Sequence, residues 1–392
     1  MGVGCCQACG ENRLRAFYEL SRIPVQSCAL LRSREAALAF PVGDLQLVIC
    51  ESCGFVANSR FRRELQAGLE EYETSQAFSG RFSAYLRELC QHLIDGHGLE
   101  DKDIVEIGCG GGDFLRLICE LGGNRGVGFD PAFPEQADDV DSGRRVRFIR
   151  EPYDETRYGT PADLLACRHT LEHIQDVHSF VEMIERAARG HPEALVFFEV
   201  PDVERVLAER AFWDVYYEHC SYFSFGSLAR LFRSCGFRIL ELDRVYDTQY
   251  LVLTATPAGE ADPPPFEGEN DVGALLRHAS DFEHGMARTL AMWRERLAGF
   301  TSRRAQVVLW GSGSKAAGFL ATLGIRDEIS YVVDINPRKH GMFQAGSGQE
   351  IVPPHFLSTY RPDVVVIMNP VYEQEIRRGL ERMNLAPELL VL

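Results

Sequence analysis

The spacing of hydrophobic positions changes several times along the chain, and each change marks a different kind of structure. From Asp103 onward, short apolar runs alternate with amphipathic stretches: IVEIG, a helix from Asp113, GVGFD at 126–130, DLLAC at 163–167 and ALVFFEV at 194–200. Continuous runs of that length predict strands of a doubly wound parallel sheet covered by helices. FRILELDRVYDTQYLVLTATP at 237–257 then reads as two long strands joined by a turn, an antiparallel pair closing the sheet edge. Upstream, Phe78, Phe82, Tyr85, Leu86, Leu89 and Leu93 recur at helical spacing and predict a helical connector over 61–100.

Downstream the pattern breaks and restarts. PAGEADPPPFEGEND at 257–271 is rich in Pro, Gly and acids and predicts a linker. One apolar stripe of Val272, Leu276, Ala279, Phe282, Met286, Leu290, Trp293 and Leu297 then predicts a long packed helix. VVLWGSGS, SYVVDIN and DVVVIMN restart the α/β alternation over 305–392. The expected organisation is an N-terminal module over 1–60, the connector over 61–100, an α/β domain over 101–257, the linker over 258–271 and a C-terminal Rossmann-like α/β domain over 272–392.

Composition narrows the class. With 392 residues, 45% hydrophobic and 25% charged, the chain is expected to be globular. Its net charge of -16 repels phosphate backbones and anionic membranes, so neither nucleic acid nor a membrane is an expected partner. An anionic substrate therefore needs a local basic pocket. Lys102, Lys315 and Lys339 are the only lysines among 41 basic residues, which reads as a coding bias toward arginine with no function attached. No stretch approaches the ~20 apolar residues of a membrane span, and the N-terminus lacks a basic-then-apolar leader, so a cytoplasmic location is expected.

Four of the twelve cysteines fall in two pairs, Cys6-x-x-Cys9 and Cys50-x-x-Cys53, each followed by glycine, Gly10 and Gly54. Glycine permits the tight turn that aims both sulfurs of a pair at one point, the arrangement of a zinc-ribbon knuckle. Four thiolates form a closed structural site with no open position for water. Cys5 is an alternative to Cys6, and a redox pair is the alternative to zinc.

In Val105-Glu106-Ile107-Gly108-Cys109-Gly110-Gly111-Gly112-Asp113 a glycine-rich loop lies between strand and helix, where backbone N–H groups approach a ligand closely. Asp130 ends the next strand about 20 residues on, where an acid can accept ribose hydroxyls. The loop admits a dinucleotide or S-adenosylmethionine. Glu106 favours the latter, because an ammonium rather than a pyrophosphate suits an acid there. His169 and its neighbours Glu172 and His173 follow another strand at the carboxyl edge where open sheets bind ligands. Phe212 to Phe223 crowds phenols, acids and an imidazole into one segment. A carbon nucleophile must lose a proton before attacking a methyl sulfonium; His219 suits a base, Glu218 an orienting group, and Tyr216 or Tyr217 a donor to an oxyanion. The competing reading of His219 is a satisfied core histidine. In the C-terminal domain Gly311-x-Gly313, with Asp334 about 20 residues later, mimics a dinucleotide loop, but its third glycine is displaced to Gly318 and Lys315 forms no P-loop.

Together these pieces resemble the zinc-containing sugar C-methyltransferases, which act on nucleotide-linked keto-deoxysugars in antibiotic and polysaccharide pathways. The resemblance covers nearly the whole chain and rests on CQACG and CESCG, VEIGCGGGDF, YYEHCSYFS, VVLWGSGSKAAGFL, VVDINP and VVVIMNP. It implies a zinc module, a class I Rossmann-like methyltransferase domain, and a C-terminal domain that closes over the sugar nucleotide. It also implies that His219 removes the proton alpha to a ketone, with Tyr216, Glu218 and Tyr72 near substrate. RIPVQSCALL between the knuckles departs from the family pattern, which bears on the substrate more than on the reaction. An O- or N-methyltransferase and a catalytically silent nucleotide-binding scaffold are the competing readings.

Overall fold

The computed structural model describes residues 4–68, 72–134, 145–158, 162–191, 193–258 and 264–392. Its first sheet is built from the N-terminal module: β1 (Leu14–Pro24), β2 (Val42–Cys50) and β3 (Val56–Asn58) pair antiparallel in chain order. The two cysteine turns lie at the same end of this sheet, one before β1 and one between β2 and β3.

The second sheet takes β4 (Asp103–Ile107), β5 (Arg125–Phe129), β6 (Val146–Ile149), β7 (Leu164–Arg168) and β8 (Leu195–Pro201). A short strand, β9 (Ser221–Tyr222), leaves this domain to become the fourth strand of the first sheet, with Val56 opposite Tyr222 and Ala57 opposite Ser221. β10 (Phe237–Val245) and β11 (Tyr250–Pro257) complete the second sheet in the order β10-β11-β8-β7-β4-β5-β6, with β11 antiparallel to both its neighbours and the other six strands running one way. β4, β7 and β8 are buried on both faces, which is why they read as unbroken apolar runs; β6 is half-buried at the edge and left no such run.

β12 (Val307–Trp310), β13 (Tyr331–Val333), β14 (Glu350–Val352), β15 (Val364–Ile367) and β16 (Glu388–Val391) form a wholly parallel third sheet, ordered β14-β13-β12-β15-β16. The edge strands β14 and β16 were again the ones without an apolar signature.

Two expectations need correction. Helix does not run through 61–100: a 3-10 turn covers Arg63–Gln66 and the α-helix is Gly80–His97, started by the Ser79 hydroxyl accepting from Phe82 N–H at 3.3 Å. Phe78 falls outside that cap, is exposed, and lies under the Arg338 guanidinium. The predicted linker is docked over its second half, where Glu269 pairs with Arg233 and Asp271 with Arg230, charges that must be matched to be buried; 259–263 lie outside the described residues. The long helix is Val272–Ser302, and its stripe is turned slightly, so that Leu275 rather than Leu276 is fully buried.

One continuous apolar core joins the ends of the chain. Phe17 and Tyr18 of β1 meet Phe282 of the long helix, and Phe212 stacks on Phe319 of the helix Ser314–Leu323. Among the described residues no helix is long and apolar enough to cross a membrane.

Candidate active site

A cavity of about 1060 Å³ opens between the carboxyl ends of the second and third sheets. Its cofactor side is the loop after β4. Gly108 sits at a positive φ of 70°, and a Cβ there would lie 2.0 Å from the Thr170 hydroxyl, so only glycine lets the chain turn under that residue. Glu106 and Cys109 are buried beside it, and Gly110 and Gly111 have open space where a side chain would be. Burial pushes the Glu106 carboxyl up to about 8, and its Oε2 has no partner among the described residues. An ammonium or hydroxyl delivered there would meet an unsatisfied acceptor. Asp130 accepts Gly110 N–H on Oδ2 and Ala132 N–H on Oδ1, both at 2.8 Å, which fixes the carboxylate at the cavity wall with lone pairs left over. These residues fit the amino acid and ribose ends of S-adenosylmethionine.

Residues 81–242 match a methyltransferase domain, and residues 267–386 match a C-methyltransferase C-terminal domain. The C-methyltransferase NovU of Streptomyces niveus is 28% identical over 95% of this chain and 90% of its own length. This chain is an S-adenosylmethionine-dependent methyltransferase. A stretch of 106 residues is also similar to the ubiquinone biosynthesis O-methyltransferase of Pseudoalteromonas translucida, at 30% identity over 26% of this chain and 44% of that one. A solved N1-methyltransferase of 1,6-didemethyltoxoflavin from Burkholderia thailandensis is similar at 19% identity and a TM-score of 0.37, over 44% of this chain and 79% of that one, too loosely to bear on the argument.

The other wall of the methyltransferase cavity is the segment between the 3-10 turn Phe212–Asp214 and β9. His219 is 8% exposed and packs edge-on against Tyr216 at 4.5 Å and His173 at 4.9 Å. Burial first, and then His173, hold its imidazolium well below the ordinary histidine range, while Asp214 favours charge. Glu218 accepts Ser27 N–H at 2.9 Å and the Ser27 hydroxyl on the same oxygen, leaving Oε2 buried without a partner among the described residues. Tyr216 donates to Asp214 at 3.3 Å. Tyr72 lines the cavity near Asp130, with burial, then Asp130, raising its phenol. His169 lies 3.4 Å from Glu199 and 3.6 Å from Glu172; burial opposes its charge, but the carboxylates win and raise it to about 9.

Tyr217 is a correction. It shares a sequence neighbourhood with Tyr216 but points the other way: it is fully buried against Phe61, accepts Arg62 N–H at 2.8 Å, and has no place in the cavity wall. The chain turns at Tyr217 and Glu218, which carries the Tyr217 ring away from the cavity that Tyr216 lines. Tyr222, which the sequence reading passed over, lines the cavity instead and donates to Tyr216 O at 3.1 Å. Glu172, His173 and His219 also place ligand atoms within 4.8 Å of one another, with the Glu172 Oε2 buried and unpartnered among the described residues.

Away from the cavity, Cys6, Cys9, Cys50 and Cys53 bring four sulfurs within 4.8 Å of one another. The Cys6–Cys53 and Cys9–Cys50 separations, 3.6 and 3.7 Å, fit a tetrahedron with Zn–S bonds of about 2.3 Å. The two turns are matched: Gly10 N–H donates to Cys6 O and Gly54 N–H to Cys50 O, both at 2.8 Å. Cys5 lies outside the set.

In the C-terminal domain Asp334 repeats the Asp130 geometry, accepting Ser312 N–H on Oδ2 and Asn336 N–H on Oδ1, but it also takes the Ser312 hydroxyl and sits 3.7 Å from Lys339. A Cβ on Gly318 would stand 2.7 Å from Trp213 O, so the displaced third glycine serves close packing onto the 3-10 turn rather than a pyrophosphate.

Proposed function

We propose that the chain methylates a carbon alpha to a ketone in a nucleotide-linked deoxysugar, in a secondary-metabolite or polysaccharide pathway. The observation that carries this reading is His219: a buried imidazole held neutral at the wall of a cavity that begins at the methyltransferase loop and ends at the third sheet. A neutral imidazole accepts a proton; a carbon acceptor needs that proton removed, an oxygen acceptor far less so.

S-Adenosylmethionine supplies an electrophilic methyl group on its sulfonium. In our reading Glu106, Gly108, Cys109, Gly110, Asp130 and His169 hold it. His219 takes the proton from the carbon beside the carbonyl, the freed electron pair forms the new carbon–carbon bond as the carbon–sulfur bond breaks, and the proton passes to solvent. Tyr216 and the unpartnered Glu218 oxygen orient the sugar, with Tyr72 closing the cofactor side. Asn336, His355 and Asn369, which follow β13, β14 and β15, line the far end of the cavity together with Arg382, the last residue of the helix Glu373–Arg382. Among the described residues Arg382 is engaged only by Arg378 O, which leaves it free for a diphosphate despite the acidic chain. The four N-terminal cysteines hold a structural zinc.

The test is hydrogen exchange. Incubated in deuterated water with a keto-deoxysugar nucleotide and S-adenosylhomocysteine, the enzyme exchanges the alpha hydrogen; H219Q does not. Exchange that survives H219Q removes His219 as base. Methylation of oxygen or nitrogen without any exchange establishes the O- or N-methyltransferase reading.

A further inference from the structure

In a chain that uses arginine for nearly every cation, two of the three lysines, Lys315 and Lys339, line the cavity. Lys315 stands in the first turn of the helix Ser314–Leu323, and its ammonium crosses from the C-terminal domain to form an ion pair with Asp214 Oδ1. Tyr216 donates to that same oxygen, and Arg205 takes Oδ2. Arg205 also pairs with Glu209 at 2.9 Å, so two cations face two carboxylates; Asp214 is 6% exposed, which shelters its two ion pairs from solvent screening. The bare glycine at position 318 lets the helix come close enough to the Phe212–Asp214 turn for a lysine to make this pair. One residue earlier, the Ser314 hydroxyl bonds Ser27 Oγ at 2.7 Å, and Ser27 in turn holds Glu218.

We propose that Lys315 is a positioning residue of the methyl-transfer site: acting through Asp214 it fixes the Tyr216 hydroxyl beside His219, and its own ammonium adds to the positive charge in that wall of the cavity. This rests on His219 as the base. The C-terminal domain on this view contributes to the chemistry and does more than cover the nucleotide.

His219 is faced by His173 and Glu172 from the turn after β7, His169 from the end of β7, Asp214, Tyr216 and Glu218 from its own segment, Tyr222 from β9 and Lys315 from the C-terminal helix. His173, His169 and Lys315 disfavour its charge and Asp214 favours it.

The experiment follows the His219 ring by carbon-13 NMR across about pH 5 to 8, in the full-length, zinc-loaded protein with S-adenosylhomocysteine bound. H219Q assigns the signal, and wild type, K315M and K315R are compared. The His219 midpoint rises by about half a pH unit or more in K315M and returns toward wild type in K315R. With a keto-deoxysugar nucleotide, kcat of K315M falls about 10- to 100-fold while KM stays within about twofold. An unmoved midpoint, or a raised KM at unchanged kcat, overturns the proposal; the second result makes Lys315 a substrate-anion ligand. If K315M does not retain zinc and cofactor binding, K315Q carries the same comparison. A K315M protein that behaves as wild type while H219Q is dead sinks only the role of Lys315, whereas an active H219Q sinks the base assignment on which it stands.

Discussion

At the scale of single residues, function turns on which groups the fold leaves unsatisfied. Replacing His219 by Gln conserves most of its volume and removes the proton acceptor, so kcat should fall about 10²- to 10⁴-fold with little change in cofactor affinity; steady-state kinetics beside S-adenosylhomocysteine titration checks this. The sign of the pH effect follows from burial. Because the folded imidazolium is disfavoured, His219 stays neutral below its ordinary value of about 6.5, and the acid limb of the kcat profile should lie beneath that pH. A limb above it would mean another group is titrating. Asp130 is anchored by two backbone N–H groups, so D130A removes both an acceptor for ribose and the brace of the glycine loop. Binding of S-adenosylhomocysteine should be lost in that variant, as calorimetry would show directly. Chemical type made His219, Glu218 and Asp130 legible in the sequence. Direction did not: nothing in the letters separates Tyr216, which faces the cavity, from Tyr217, which is buried under Gly43 and Phe61.

At the scale of elements, glycines set how closely one piece of chain approaches another. Gly318→Val drives a branched side chain into Trp213 O and should separate the helix Ser314–Leu323 from the turn that carries Asp214. A loss of about 1–3 kcal/mol of stability is expected, and kcat should fall further than thermal melting alone explains, since the Lys315–Asp214 pair is pulled apart. Full activity in a destabilised Gly318→Val protein would deny the link. Buried strands β4, β7 and β8 were plain in the sequence because both faces are apolar. β6, β14 and β16 were hidden because edge strands carry mixed faces, and β9 was hidden because two residues hold no period at all. The helix start after Phe78 was missed for a different reason: a hydrophobic residue beside a cap mimics the stripe that follows it.

At the scale of the whole molecule, the N-terminal module and the reactive segment share a sheet. C50S removes one thiolate, and because metal binding there is folding energy, zinc should be lost and β2 and β3 should loosen. Tyr222 and Ser221 pair with β3, and Asn58 N–H bonds Cys220 O at 3.0 Å, so the loss should reach His219. Elemental analysis is expected to give one zinc per wild-type chain, with activity falling in parallel with metal across partially stripped samples. Metal-free protein with undiminished methyl transfer would separate the two. The four cysteines were readable from spacing alone; their connection to the chemistry was not, because it is carried by residues more than 150 positions apart in the chain.

Ser27, Ser314 and Glu218 meet at one point although each belongs to a different part of the chain. Recombination that exchanges a whole C-terminal half to acquire a new substrate would bring a foreign partner to Ser27 and Asp214 along with the new pocket. Viable hybrids should therefore inherit position 27, the 212–223 stretch and the 311–318 loop as a set, so that crossovers leaving the set intact outnumber those that split it. The unit of inheritance in this architecture is the junction and not the domain.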